Sequence, residues 1–147
     1  MTPELKHLVR DSFARLAPVA DEAGALLYDR LFEMDPTLRG LFQNDIGEQS
    51  RKLMQMIAVA VNSLDNLEAI VPALQALGRR HAGYGVTTQH LEMGGAALLW
   101  TLEQVLGTAF TPDVGRAWGT VYDVVIRPMQ QGMEETSEVD IALPHAA

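Results

Sequence analysis

Four histidines are the side chains most able to do chemistry in this sequence: His7, His81, His90 and His145. His7 falls on the polar side of a first helix, His145 in an acidic C-terminal stretch, and His90 at the opening of an apolar helix. His81 differs from these. It ends an amphipathic segment carrying Ile70, Leu74 and Leu77, and a glycine-bearing stretch, Gly83 to Gly85, follows it. An imidazole at a helix end can reach into a cleft as a metal ligand without disturbing the backbone ladder. The alternative is structural: Arg79-Arg80-His81 reads equally as a basic helix C-terminus favoured by the macrodipole. Three further residues bear on the choice. Tyr28 lies on an otherwise apolar helix face, Phe42 follows a short third helix, and Gln49 begins a long fourth one, with Leu53 one turn on along the same face. Each also has a plain reading, as core aromatic, core packing or solvent-facing amide.

Other chemistries find no support. With no cysteine there are no disulfides, thiolate zinc sites or iron–sulfur clusters. The spacings HExxH, GxSxG, GxxxxGK and GxGxxG are missing. Gly94-Gly95 falls inside a helix, where close packing is the simpler reading. A formal charge of −8 disfavours a nucleic-acid backbone or an anionic membrane as partner. No apolar run has the length of a membrane span, and the first residues lack the charged and apolar regions of a signal peptide. A cytoplasmic location is therefore expected.

The elements that must position these residues are all helical. Thr2-Pro3-Glu4 reads as cap, first-turn proline and first-turn acid, with Leu5, Leu8, Val9, Phe13 and Leu16 at helical spacing. A second helix is expected over about 21–34, and a short third through Leu38 after Asp35-Pro36. A fourth is expected over about 46–64, and a fifth, capped by Asp65-Asn66-Leu67-Glu68, ends near His81. A sixth runs from Thr87 or Thr88 to Leu106, and a last opens at Thr111-Pro112-Asp113. Pro128 should kink or end that last helix. The domain is expected to span 1–134, with 135–147 an acidic, disordered tail. The pattern predicts an all-α domain of about seven helices.

Leu41-Phe-Gln-Asn44, Gln49-Ser-Arg-Lys-Leu-Met-Gln55, Asp65-Asn-Leu-Glu68, Leu77-Gly-Arg-Arg-His81 and Ala117-Trp-Gly-Thr-Val-Tyr122 occur in an order and spacing that resembles the globins. The resemblance is to single-domain bacterial globins related to flavohaemoglobins, and it covers about residues 4–133. It implies a three-on-three helical sandwich around haem b. It makes His81 the proximal iron ligand and sets Phe42 flat on the porphyrin. Tyr28 and Gln49 then lie on the distal side, with Leu53 walling the pocket. Val86 is placed against the haem, and Lys52 and Arg80 near its propionates. O2, CO and NO are the implied ligands, for oxygen binding or transport or for NO detoxification. NO dioxygenase activity with an external reductase is the alternative, because no flavin or nicotinamide domain is found in these residues. A haem-free sensory or partner-binding module is the remaining rival, and His81, Phe42, Tyr28 and Gln49 together speak against it. The chain also departs from flavohaemoglobins. Their proximal tyrosine and glutamate align with Leu91 and Met133, and Glu134 is one residue off, about 100° around a helix.

Overall fold

The computed structural model describes residues 1–42 and 45–142, with the backbone alone for 136–142. Among the described residues six α-helices follow one another: α1 (Pro3–Leu16), α2 (Ala20–Met34), α3 (Ile46–Asn62), α4 (Val71–Gly83), α5 (Thr88–Leu106) and α6 (Pro112–Ala142). Among the described residues there is no strand. The caps show why the helices begin where they do. The Thr2 hydroxyl accepts from Leu5 N–H at 3.1 Å, and the Asp45 carboxylate from Gly47 N–H at 3.1 Å. At α5 the Thr87 hydroxyl accepts from His90 N–H, and His90 Nδ1 accepts from Thr87 N–H in return. This is a capping box with imidazole in the place usually held by Glu or Gln. Gly107 ends α5 at φ 56°, in the left-handed region that glycine enters freely.

Four differences from the sequence expectation have physical reasons. The short third helix is a 3-10 turn, Pro36–Leu41, tied by Asp35, whose carboxylate accepts from the Thr37 N–H and hydroxyl. Asp65 does not cap the next helix; it takes Lys6 at 2.9 Å and Arg10 at 3.0 Å from α1. Pro128 does not end α6, because buried Ile126, Met129 and Met133 anchor the helix on both sides of it. Packing of an apolar face there outweighs a local cost of about 3 kcal/mol. The helix also passes Glu134 and runs on to Ala142, so the segment from 135 begins as helix; residues 143–147 lie outside the described ones.

Two apolar cores result. The larger joins Val9, Leu16, Tyr28, Met54, Leu98, Leu102 and Trp118, from α1, α2, α3, α5 and α6. The smaller joins Leu74, Leu91, Ile126, Met129 and Met133, from α4, α5 and α6. Helix α3 rests on α2, and α4 rests on α6, while α3 and α4 share no substantial packing. The two helices that carry Leu53 and His81 therefore stand on different supports.

Candidate functional site

His81 is half-buried in the last turn of α4. Its Nδ1 lies 2.8 Å from the Leu77 carbonyl oxygen, and a carbonyl only accepts, so Nδ1 carries the proton and donates. Nε2 is then the basic nitrogen, and it makes no hydrogen bond among the described residues. Burial pushes the imidazole below the usual histidine range, against the opposing pull of the Leu77 hydrogen bond, and the Arg80 cation adds to the lowering. The outcome is a neutral, oriented imidazole with a free lone pair. The segment after it is tied back, Val86 N–H donating to the His81 carbonyl at 3.0 Å.

The smaller core around α4 is built of apolar side chains, with Tyr122 packed on it and its hydroxyl donating to the Leu91 carbonyl. Leu91 and Met133 are both buried in it, and Val86 and Leu77 pack on its edge, whereas Glu134 is exposed. Among the described residues the hydrogen-bond partner of the imidazole is thus a backbone carbonyl and not a carboxylate.

The larger core presents a different set. Tyr28 of α2 is 8% exposed, and its ring meets Phe42 edge-on at 5.4 Å and Phe32 at 6.1 Å. Burial raises its phenol to about 12, so the hydroxyl stays protonated. That hydroxyl makes no hydrogen bond among the described residues. Phe42 and Leu53 pack half-buried on the same core. Gln49 is half-buried one turn before Leu53, its side-chain amide likewise without a hydrogen bond among the described residues. The structure thus brings Tyr28, Phe42 and Leu53 into one cluster, and puts Val86, whose N–H is bonded to the His81 carbonyl, at the edge of the other. Of the two cations singled out, Lys52 is exposed and pairs with Glu48 at 3.6 Å, and Arg80 is exposed with no ion pair among the described residues. A surface cleft of about 520 Å³ between α5 and α6, floored by Trp118, Tyr122 and Ile126, contains none of these residues.

Sequence reasoning passed over two participants. Phe32 was legible, one turn after Tyr28 on the same face of α2. The Leu77 carbonyl was not, because backbone acceptors leave no mark on residue type.

Residues 25–129, well over half the chain, match the globin family. The chain belongs to the globins. This globin is 35% identical to the neuroglobin of Danio rerio, across 90% of its own length and 92% of that protein's. It is 34% identical to the neuroglobin of Tetraodon nigroviridis over the same shares. A solved structure of an engineered carbene transferase, built on a proposed nitric oxide dioxygenase of Rhodothermus marinus, superposes with a TM-score of 0.86 at 26% identity, covering 96% of this chain and 99% of that one. A hexacoordinated haem protein from a tardigrade shares the fold at a TM-score of 0.83 and 20% identity, covering 91% and 96%.

The donor set fits the cofactor of this family. Among the described residues no three His, Cys, Asp or Glu side chains gather to hold a bare metal ion. A single imidazole suffices when the metal arrives with four ligands of its own, as iron does in haem. His81 in this globin offers that one nitrogen, with its other ring nitrogen already engaged.

Proposed function

We propose that this globin holds haem b through Nε2 of His81 and reversibly binds O2, with CO and NO as further ligands. The observation that carries the reading is the His81 Nδ1 bond to the Leu77 carbonyl, which leaves a neutral Nε2 for one axial bond. Haem, when bound, supplies an iron that takes up a diatomic gas and lends it partial negative charge. The Tyr28 hydroxyl and the Gln49 amide serve as neutral donors to that gas, and neither has a competing partner among the described residues. Leu53 and Phe42 keep the space dry, Phe42 packing on the porphyrin and Val86 on its proximal side. Arg80 and Lys52 meet the propionates at the rim; for Lys52 this means giving up a long, exposed contact worth little. We place the protein among the single-domain bacterial globins related to flavohaemoglobins, where its motif order also resembles Hell's Gate globin. The lack of cysteine fits a cytoplasmic setting.

The test is haem content and the Soret band of His81→Ala beside the parent. Loss of tight haem binding is expected, with His7→Ala and His90→Ala near parental. Full haem retention and an unchanged ferrous spectrum in His81→Ala would overturn the assignment.

Similarity to the Rhodothermus marinus protein, a proposed nitric oxide dioxygenase, favours a second reading, oxidation of NO to nitrate. The neutral backbone-carbonyl partner of His81 weighs against a strongly electron-donating proximal ligand, and this reading needs an external reductase. With NADH as sole reductant under air, the 147-residue chain is expected to consume NO once per haem and then stop. Sustained turnover without added reductase contradicts this.

A further inference from the structure

Helix α4 meets α6 backbone to backbone. A Cβ added at Gly78 would overlap the Met129 carbonyl group, lying 2.7 Å from its carbon. A Cβ added at Gly132 would overlap the Gln75 carbonyl group, 2.9 Å from its carbon, and lie 3.2 Å from Arg79 N. The two contacts are reciprocal: each helix contributes a glycine, and each glycine sits against the backbone of the other helix. Backbone cannot swing aside as a side-chain end can. Two polar links flank the contact, Gln75 to Gln131 at 3.2 Å and Arg79 to Glu135 at 2.9 Å. Gly78 lies between Leu77, whose carbonyl accepts from His81, and His81 itself, within one helical turn.

We propose that Gly78 and Gly132 are positioning residues: by letting α4 and α6 touch, they set the place of the His81 imidazole before any cofactor arrives. The proposal rests on His81 as the ligand. The seat of α4 is built from protein alone, since α4 rests on α6 and its contact with α3 is slight. An iron–imidazole bond tolerates misplacement of about 0.5 Å, as functional groups in general do. Ordinary contact begins at 3.4 Å, so a methyl at either glycine must part the helices by on the order of 1 Å. Helix α4 then moves away from α6 and carries His81 with it.

The experiment has two arms. In the first, Gly78→Ala, Gly132→Ala and the double variant are loaded with haem, and the haem dissociation rate and the ferrous iron–histidine stretching band are recorded. Each single variant is expected to release haem at least tenfold faster, with a shifted or broadened band. The double variant should be less than multiplicative, because helices already parted leave room for the second methyl. Gly119→Ala, on the same helix with open space around it, should match the parent. Folded variants with parental release and band overturn the proposal. In the second arm, which needs no variant, hydrogen exchange is followed on the haem-free chain. Amides of α4 around residues 75–81 are expected to be as protected as those of α6 facing them; exchange at the rate of a free segment overturns the proposal. His81→Ala separates the two ideas: if it keeps its haem, the ligand assignment fails, whereas if it loses haem and the glycine variants behave as the parent, only the positioning role fails.

Discussion

The proton on Nδ1 of His81 decides what the other nitrogen can do, and the Leu77 carbonyl, 2.8 Å away, decides where that proton sits. A carbonyl partner fixes the ring without transferring charge to it, whereas a carboxylate would add anionic character. Leu91 and Met133, which the resemblance sets against the tyrosine and glutamate of flavohaemoglobins, are both buried and put no such group at those two positions. In the larger core, Tyr28 packs with Phe32 and Phe42, and burial raises its phenol to about 12, which makes it a neutral donor throughout the physiological range. A hydrogen bond to a partly charged gas contributes about 1.5–3 kcal/mol. Tyr28→Phe should then release O2 roughly tenfold to a hundredfold faster. CO carries less charge, so its release should change by no more than about twofold, which separates hydrogen bonding from a simple widening of the pocket. Because the hydroxyl has no partner among the described residues, the same change should leave folding stability nearly untouched. Stopped-flow dissociation rates for both gases check this; an O2 rate within about twofold of the parent means well under 1 kcal/mol and ends the assigned role.

At the scale of elements, what the sequence made legible was local chemistry. Thr2 and Thr87 announce helix starts because a short side-chain oxygen satisfies first-turn N–H groups, and each does so. His81 stood out because an imidazole ended an apolar-faced helix. What could not be read were contacts between elements. Pro128 predicts a kink or an end by local rules, but the buried methionines after it keep α6 continuous past it. Residue type and spacing leave Gly78 and Gly132 unmarked, and only the crossing of α4 and α6 gives them a reason. The α2–α3 crossing offers a similar case with a sharp test. Ser50 is buried, its hydroxyl has no hydrogen-bond partner among the described residues, and it occupies the space where a Gly24 Cβ would stand. Ser50→Ala removes an unpaired polar group from the core at almost constant volume, so a gain of about 1 kcal/mol is expected in urea unfolding. Gly24→Ala should lose about 1–3 kcal/mol by overpacking, and much of that loss should disappear in the Ser50→Ala background. A destabilised Ser50→Ala would show that the hydroxyl is satisfied in solution.

For the whole molecule, the governing fact is that two cores are only partly joined. Helix α3 leans on α2, α4 leans on α6, and Met56 reaches from α3 toward the second core. Leu53 and Ile57 on one side, Leu77 and Val86 on the other, remain half-buried. On the proposed function, a flat apolar group lying between the two sets would cover them and tie the cores together, so cofactor binding should act as folding free energy. At haem a hundredfold above its dissociation constant the gain is about 2.7 kcal/mol. For a domain of this size each kcal/mol moves the midpoint by about 2–4 °C, so Tm should rise by roughly 5–10 °C on loading. The gain should also depend on pH with a definite sign. The folded environment lowers the affinity of His81 for a proton below the unfolded value of about 6.5. As pH falls through that value, the unfolded chain takes up a proton that folded His81 resists, and an iron held on Nε2 would resist it further. Stability is therefore full above about pH 6.5 and is lost progressively below it, more steeply with haem than without. Circular-dichroism melts between about pH 5 and 8, with and without haem, measure both effects. His81→Ala should abolish most of the rise in Tm and flatten its dependence on pH. A rise of the same size in His81→Ala would mean that haem is held by the apolar walls alone, with no axial bond from this residue.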